Sequence, residues 1–179
     1  GADTVVTVPD PILEAALRGA IHKPSGDLLA SDLAAVISLK LNFHFISNLG
    51  GIEFCTALEH LALGGNLITD LSPVSGLTRL TYLDLWANPV TELGPLAGLT
   101  NLAHLDLSLC HVPDLSPLSG LSRLETLILS SSEVGDLAPL AHLTNLQSLD
   151  LSQANIEDVT ALAGVVNLRT LILDSNPVH

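Results

Sequence analysis

Residues 80–99 read LTYLDLWANPVTELGPLAGL, and the recurrence of this string decides the architecture. It opens on Leu80, Leu83 and Leu85, reaches Asn88, and then carries Val90, Leu93, Leu96 and Leu99 through the remainder. The opening triplet returns at Leu58, Leu61 and Leu63, at Leu102, Leu105 and Leu107, and at Leu124, Leu127 and Leu129. It returns again at Leu146, Leu149 and Leu151, and last at Leu168, Leu171 and Leu173. Counted from Val36, seven units of 22 residues follow one another without insertion, the seventh cut short. A unit of that size cannot bury its own apolar face, so the units must stack on one another.

Within a unit, Leu-x-x-Leu-x-Leu alternates apolar and polar residues and predicts a short strand, with Leu83 and Leu85 directed inward. Asn88 turns the chain. Pro73, Pro95, Pro117 and Pro139 preclude a long helix on the return path, because proline lacks an N–H and restricts the residue before it. The expected class is α/β: a right-handed solenoid with a parallel sheet on its concave face and short 3₁₀ turns on its convex face.

Residues 1–35 depart from the repeat and are expected to form an α-helical cap on the array of residues 36–179. Thr4 to Val8 is β-branched and should be extended. Asp10 and Pro11 are helix-start residues, and Leu13, Ala16, Leu17, Ala20 and Ile21 form one stripe. That stripe is suited to cover the first unit's leucines.

Apolar residues make up 47% of the chain and charged residues 14%, yet polar positions interrupt every run and no spanning segment is predicted. Net charge is -13, with only 6 Lys and Arg, so phosphate backbones and anionic lipid are repelled. Neither nucleic acid nor membrane insertion is expected. Cys55 occupies a slot that Leu77 and Leu99 fill, and Cys110 sits three units on, too far for a bridge.

The LxxLxLxxN cores, followed by segments such as ITDLSPVSGL and VPDLSPLSGL, resemble the leucine-rich repeat family over residues 36–179. The likeness is to its 22-residue class, found in bacterial internalin-like surface proteins and in a eukaryotic phosphatase regulator. The leader VPDPILEAALRGAI…GDLLASDLAAV is similar to the cap that precedes such repeats in bacterial proteins. The resemblance implies a non-enzymatic protein-interaction module, on the bacterial cell surface or secreted, and leaves its partner open.

Two periodic columns have structural explanations. The asparagine slot reads His44, Asn66, Asn88, Cys110, Ser132, Ala154 and Asn176, and a side-chain amide there supports the turn. Ala154 breaks that ladder unless Asn155 reaches in. Asp70, Glu92, Asp114, Asp136 and Asp158 recur once per unit; capping of turn N–H groups is favoured over Ca²⁺ binding.

The outward strand positions form three columns and carry the candidate binding site. The chain's only Tyr and only Trp, Tyr82 and Trp86, lie on one strand with Asp84 between them. His60 and His104 flank Tyr82, and Asp106 lies beside Asp84. These six residues are the expected ligand contacts, because aromatics facing out of a solenoid strand have no evident packing role. An open sheet supplies no convergent metal ligands and excludes no water, and no nucleophile elbow, P-loop, HExxH or CxxC motif occurs. No catalytic residue, metal or cofactor is expected. A protein partner is favoured and a glycan is allowed, with an intracellular scaffold docking an enzyme, or a structural spacer, as alternatives. The chain stops part-way through a unit at Asn176-Pro177-Val178-His179, which suggests continuation of the natural protein or end-to-end pairing of two copies.

Overall fold

The computed structural model describes residues 3–178; Gly1, Ala2 and His179, at the ends of the two expected segments, lie outside the described residues. Seven strands, β1 (Ser38–Lys40), β2 (His60–Ala62), β3 (Tyr82–Asp84), β4 (His104–Asp106), β5 (Thr126–Ile128), β6 (Ser148–Asp150) and β7 (Thr170–Ile172), form one parallel sheet in chain order. Each residue pairs with the one a full unit later, as in Leu61↔Leu83 and Leu83↔Leu105. Short 3₁₀ turns, such as Ser72–Val74 and Gly94–Leu96, return the chain, with Pro in the first turn of each where the sequence places it.

The central leucines of β2 to β6 are fully buried, and a single cluster runs from Val6 to Val165. Each buried leucine contributes about 2 kcal/mol through area removed from water. At the far end the cluster thins. Leu171 on β7 is 38% exposed, and Leu168 and Leu173 are only half-buried.

The segment before the array meets it through α1 (Pro11–Ala20) and α2 (Ala30–Leu33). Leu13 and Leu17 are buried, Ala16 and Ile21 partly so, while Ala20 is exposed and contributes nothing to the stripe. Asp10 joins the two parts. Its Oδ1 accepts from the Ile12 and Leu13 amides, and its Oδ2 from those of Ser47 and Asn48 in the first unit. Burial alone would raise this carboxyl's pKa, but the four amides outweigh it and hold it below the ordinary value.

The asparagine slot behaves unevenly. Asn88 donates to the Leu63 and Leu85 carbonyls and accepts from the Ile68 amide, and Asn66 and Asn176 repeat this pattern. Cys110 Sγ donates to Leu85 O at 3.3 Å, and the Ser132 hydroxyl is shared between Leu107 O at 2.7 Å and Ser130 O at 3.3 Å. Ala154 offers none, and Asn155 does not reach in; it is exposed, with φ of 60°. The residue before each slot is left-handed in all seven turns, at Phe43, Gly65, Ala87, Leu109, Ser131, Gln153 and Ser175. After the slot, a second left-handed residue appears at Phe45, Glu133 and Asn155, where the slot holds His44, Ser132 and Ala154. Cys110 has no such second residue, and the turns at His44 and Ala154 are held from the following unit, where Asn66 and Asn176 each accept from two of their amides.

Candidate functional site

The in-register stacking of β2, β3 and β4 brings His60, Tyr82 and His104 side by side. Their rings stack almost parallel, His60 on Tyr82 at 4.1 Å and 4°, and Tyr82 on His104 at 4.4 Å and 3°. Burial lowers the pKa of both imidazoles. Lys40 adds to the effect at His60; at His104, Asp106 opposes it and His60 adds to it. The stack is therefore three neutral rings near pH 7, and the Tyr82 phenol is itself raised by burial, Asp84 and Asp106. His60 Nδ1 is buried without a hydrogen-bond partner.

Trp86 does not stand out from the sheet. Its indole lies across Gly64 in the neighbouring unit, where an added Cβ would come within 2.0 Å of Nε1. Its ring meets Phe43 edge to face at 5.1 Å. The expectation that these aromatics lack a packing role is thus corrected: a glycine one unit back makes the bed, and Phe43 closes one side. Phe43 in turn lies over Gly65, whose φ of 66° suits a residue without Cβ.

Asp84 sits beneath this layer, 6% exposed, with Oδ1 accepting from the Trp86 amide at 3.1 Å. Burial raises its pKa, partly offset by the Trp86 amide, and Asp106 raises it further. Asp106 stands in register beside it and accepts from the Ser108 amide and hydroxyl. The structure thus places the six expected contacts in one contiguous patch, with Asp84 under the surface and the others partly open. Among the described residues, no three His, Cys, Asp or Glu side chains converge as metal ligands.

The acidic column is occupied by capping. Asp70, Asp114, Asp136 and Asp158 each accept from the amide two residues on, while Glu92 makes no such bond. A depression between the turns of the fifth and sixth units is lined by Asp136, Asn155 and Asp158. It lies outside the aromatic patch, and two of its carboxylates are these turn caps. Cys55 and Cys110 are buried free thiols, with pKa values pushed up by burial to about 12 and about 11.

Column reading missed Phe43 and Phe45. Both are exposed, at 67% and 74%, on turn positions beside the strands. Their signal was available as two phenylalanines flanking His44, where the unit calls for an asparagine.

The family model for Leucine Rich repeats (2 copies) matches residues 78–120 and 122–164. Among solved structures, an internalin (inlF) from Listeria monocytogenes is similar at TM-score 0.79 and 32% identity, over 94% of this chain and 57% of that one. The internalin C2 (inlC2) of the same organism is 30% identical at TM-score 0.59, over 92% of this chain and 93% of that one. The functional domain of InlJ, described as including a cysteine ladder, shares the fold at TM-score 0.69 and 23% identity, over 98% of this chain and 44% of that one. The chain therefore spans little more than half the length of the inlF protein. A comparison with curated proteins finds no match. Among the described residues no helix is long and apolar enough to cross a membrane.

Proposed function

The chain belongs to the internalin-like leucine-rich repeat proteins, and from that premise we propose that it is a non-enzymatic recognition module of a bacterial surface or secreted protein. Its partner is a protein, bound on the concave sheet. The observation that carries this reading is the aromatic patch: a stack of His60, Tyr82 and His104 beside an indole held flat over Gly64. Rings already fixed in place lose little freedom on binding, which favours affinity from a small area. Tyr82 and Trp86 act as anchors, His60, His104 and Asp106 as polar surround, and Asp84 from beneath.

Trp86 is the only tryptophan, so its emission reports on this patch. Titration with a panel of host-cell surface proteins is expected to shift it for a true partner. Trp86→Ala then weakens that partner more than about tenfold while the circular dichroism spectrum of the folded chain is kept; equal affinity in the variant moves the site elsewhere. A flat indole is also a platform for a sugar ring, so glycans belong in the same panel.

A further inference from the structure

A row of exposed apolar side chains runs beside the sheet, along the turns that follow the strands. Phe43, Phe45, Leu67 and Leu109 are 67%, 74%, 53% and 59% exposed, and Trp86 lies half-open beside Phe43. This row is confined to the first four units. The equivalent positions later in the chain hold Ser131, Glu133, Gln153, Asn155, Ser175 and Pro177. Phe43, Phe45 and Leu109 also occupy left-handed backbone, at φ of 60°, 58° and 58°. The left-handed residue before the slot recurs in every turn, at Ala87, Ser131, Gln153 and Ser175 as well, so it belongs to the turn and leaves the side chain free to vary.

Acidic residues adjoin the row along the chain, Asp84 among them buried. Asp84 and Asp106 lie toward the sheet, and Asp70, Glu92 and Asp114 follow three residues after the turn in their units. Lys40 on β1 is the one Lys or Arg in the adjoining strand columns. Three of the other five, Arg18, Lys23 and Arg79, are already paired with acids.

We propose that this rim docks a protein partner whose contacting surface is apolar and bordered by lysine or arginine. The proposal rests on the reading of the chain as a binding module, but places the contact on the rim as well as the sheet. A second copy of the chain is disfavoured as occupant, since it would set acid against acid at a net charge of -13 each. Anionic lipid is disfavoured for the same reason.

Three synthetic peptides of equal length test it: Leu alternating with Arg, Leu alternating with Glu, and Ser alternating with Arg. Binding is read by Trp86 emission and by titration calorimetry. The Leu–Arg peptide is expected to bind at least about tenfold more tightly than either control, and less tightly as salt rises. Phe45→Ser combined with Leu109→Ser should remove that advantage without altering the circular dichroism spectrum. Tyr82→Ala with His104→Ala separates the two surfaces. If only this sheet pair weakens the Leu–Arg peptide, the rim proposal fails and the concave reading stands. Equal binding of all three peptides, or full affinity in the rim variant, overturns the proposal outright.

Discussion

The second and third units and the fifth and sixth share one backbone and one leucine core, yet differ in almost every other respect. On β2 and β3 the outward residues are His60 and Tyr82, stacked ring on ring; on β5 and β6 they are Thr126 and Ser148. Where Trp86 lies over Gly64, the later pair is Ser130 and Ser152, joined hydroxyl to hydroxyl at 2.9 Å. Asn66 and Asn88 both donate to and accept from the backbone of the earlier turns, while Ser132 only donates to carbonyls and the Ala154 side chain makes no hydrogen bond. The leucines are invariant because every unit must bury the same face. What is free to vary carries stacked rings in one half and mainly hydroxyls in the other.

The contrast can be broken most severely at Asn88. Asn88→Ala leaves the buried Ile68 amide without its acceptor and removes a donor from Leu63 O and Leu85 O. We expect a loss of about 2–3 kcal/mol by chemical denaturation, against about 1 kcal/mol for Ser132→Ala. Equal losses would mean that the ladder does not distinguish the two regions. Next in size is Gly64→Ala, whose new methyl must expel the indole at about 2 kcal/mol. Trp86 emission should shift to the red; an unchanged spectrum would show that the bed under the ring is not what orients it.

Ala154→Asn runs the other way. It restores a donor to Leu129 O and an acceptor to the Ser132 and Val134 amides, and should add about 1 kcal/mol. Loss of stability would indicate that the turn at Asn155 does not accommodate the amide. The smallest effect is titration of the stack. His60 and His104 have folded pKa values below the ordinary 6.5, so the unfolded chain binds protons more readily than the folded one. Their contribution is complete above about pH 6.5 and declines as pH falls through the depressed folded values. Proton NMR should find both imidazoles titrating below 6.5, and values at or above it would contradict the stacked, buried arrangement. The Asp10 carboxyl has the familiar acid behaviour: its stabilisation is held above the ordinary carboxylate pKa and lost as pH falls through its lowered folded value.

Much of this was legible in the residues. The leucine period alone implied parallel strands in register, because stacked identical units leave no other pairing, and Asp10-Pro11 marked the start of α1. The three outward columns were legible for the same reason, so His60, Tyr82 and His104 could be placed together before any coordinates. The period could not convey ring orientation. Whether Trp86 projects or lies flat depends on the absent side chain of Gly64, a neighbour in space but 22 positions away in sequence. Nor could it reveal Phe43 and Phe45, whose columns change residue type from unit to unit and so carry no periodic signal.

The ladder has a mechanical meaning. Hydrogen bonds such as Leu63 N to Asp84 O and Leu85 N to Asp106 O all run from one unit to the next, along the axis of stacking. A pull between the two ends loads them lengthwise and lets them part joint by joint instead of shearing together. Asn66 and Asn88 reinforce the joints nearest the helical end, and Asn176 reinforces the last one. When the two ends are pulled apart in a force measurement, the joint between the fifth and sixth units, where Ala154 offers no clamp, is expected to part before those held by asparagine.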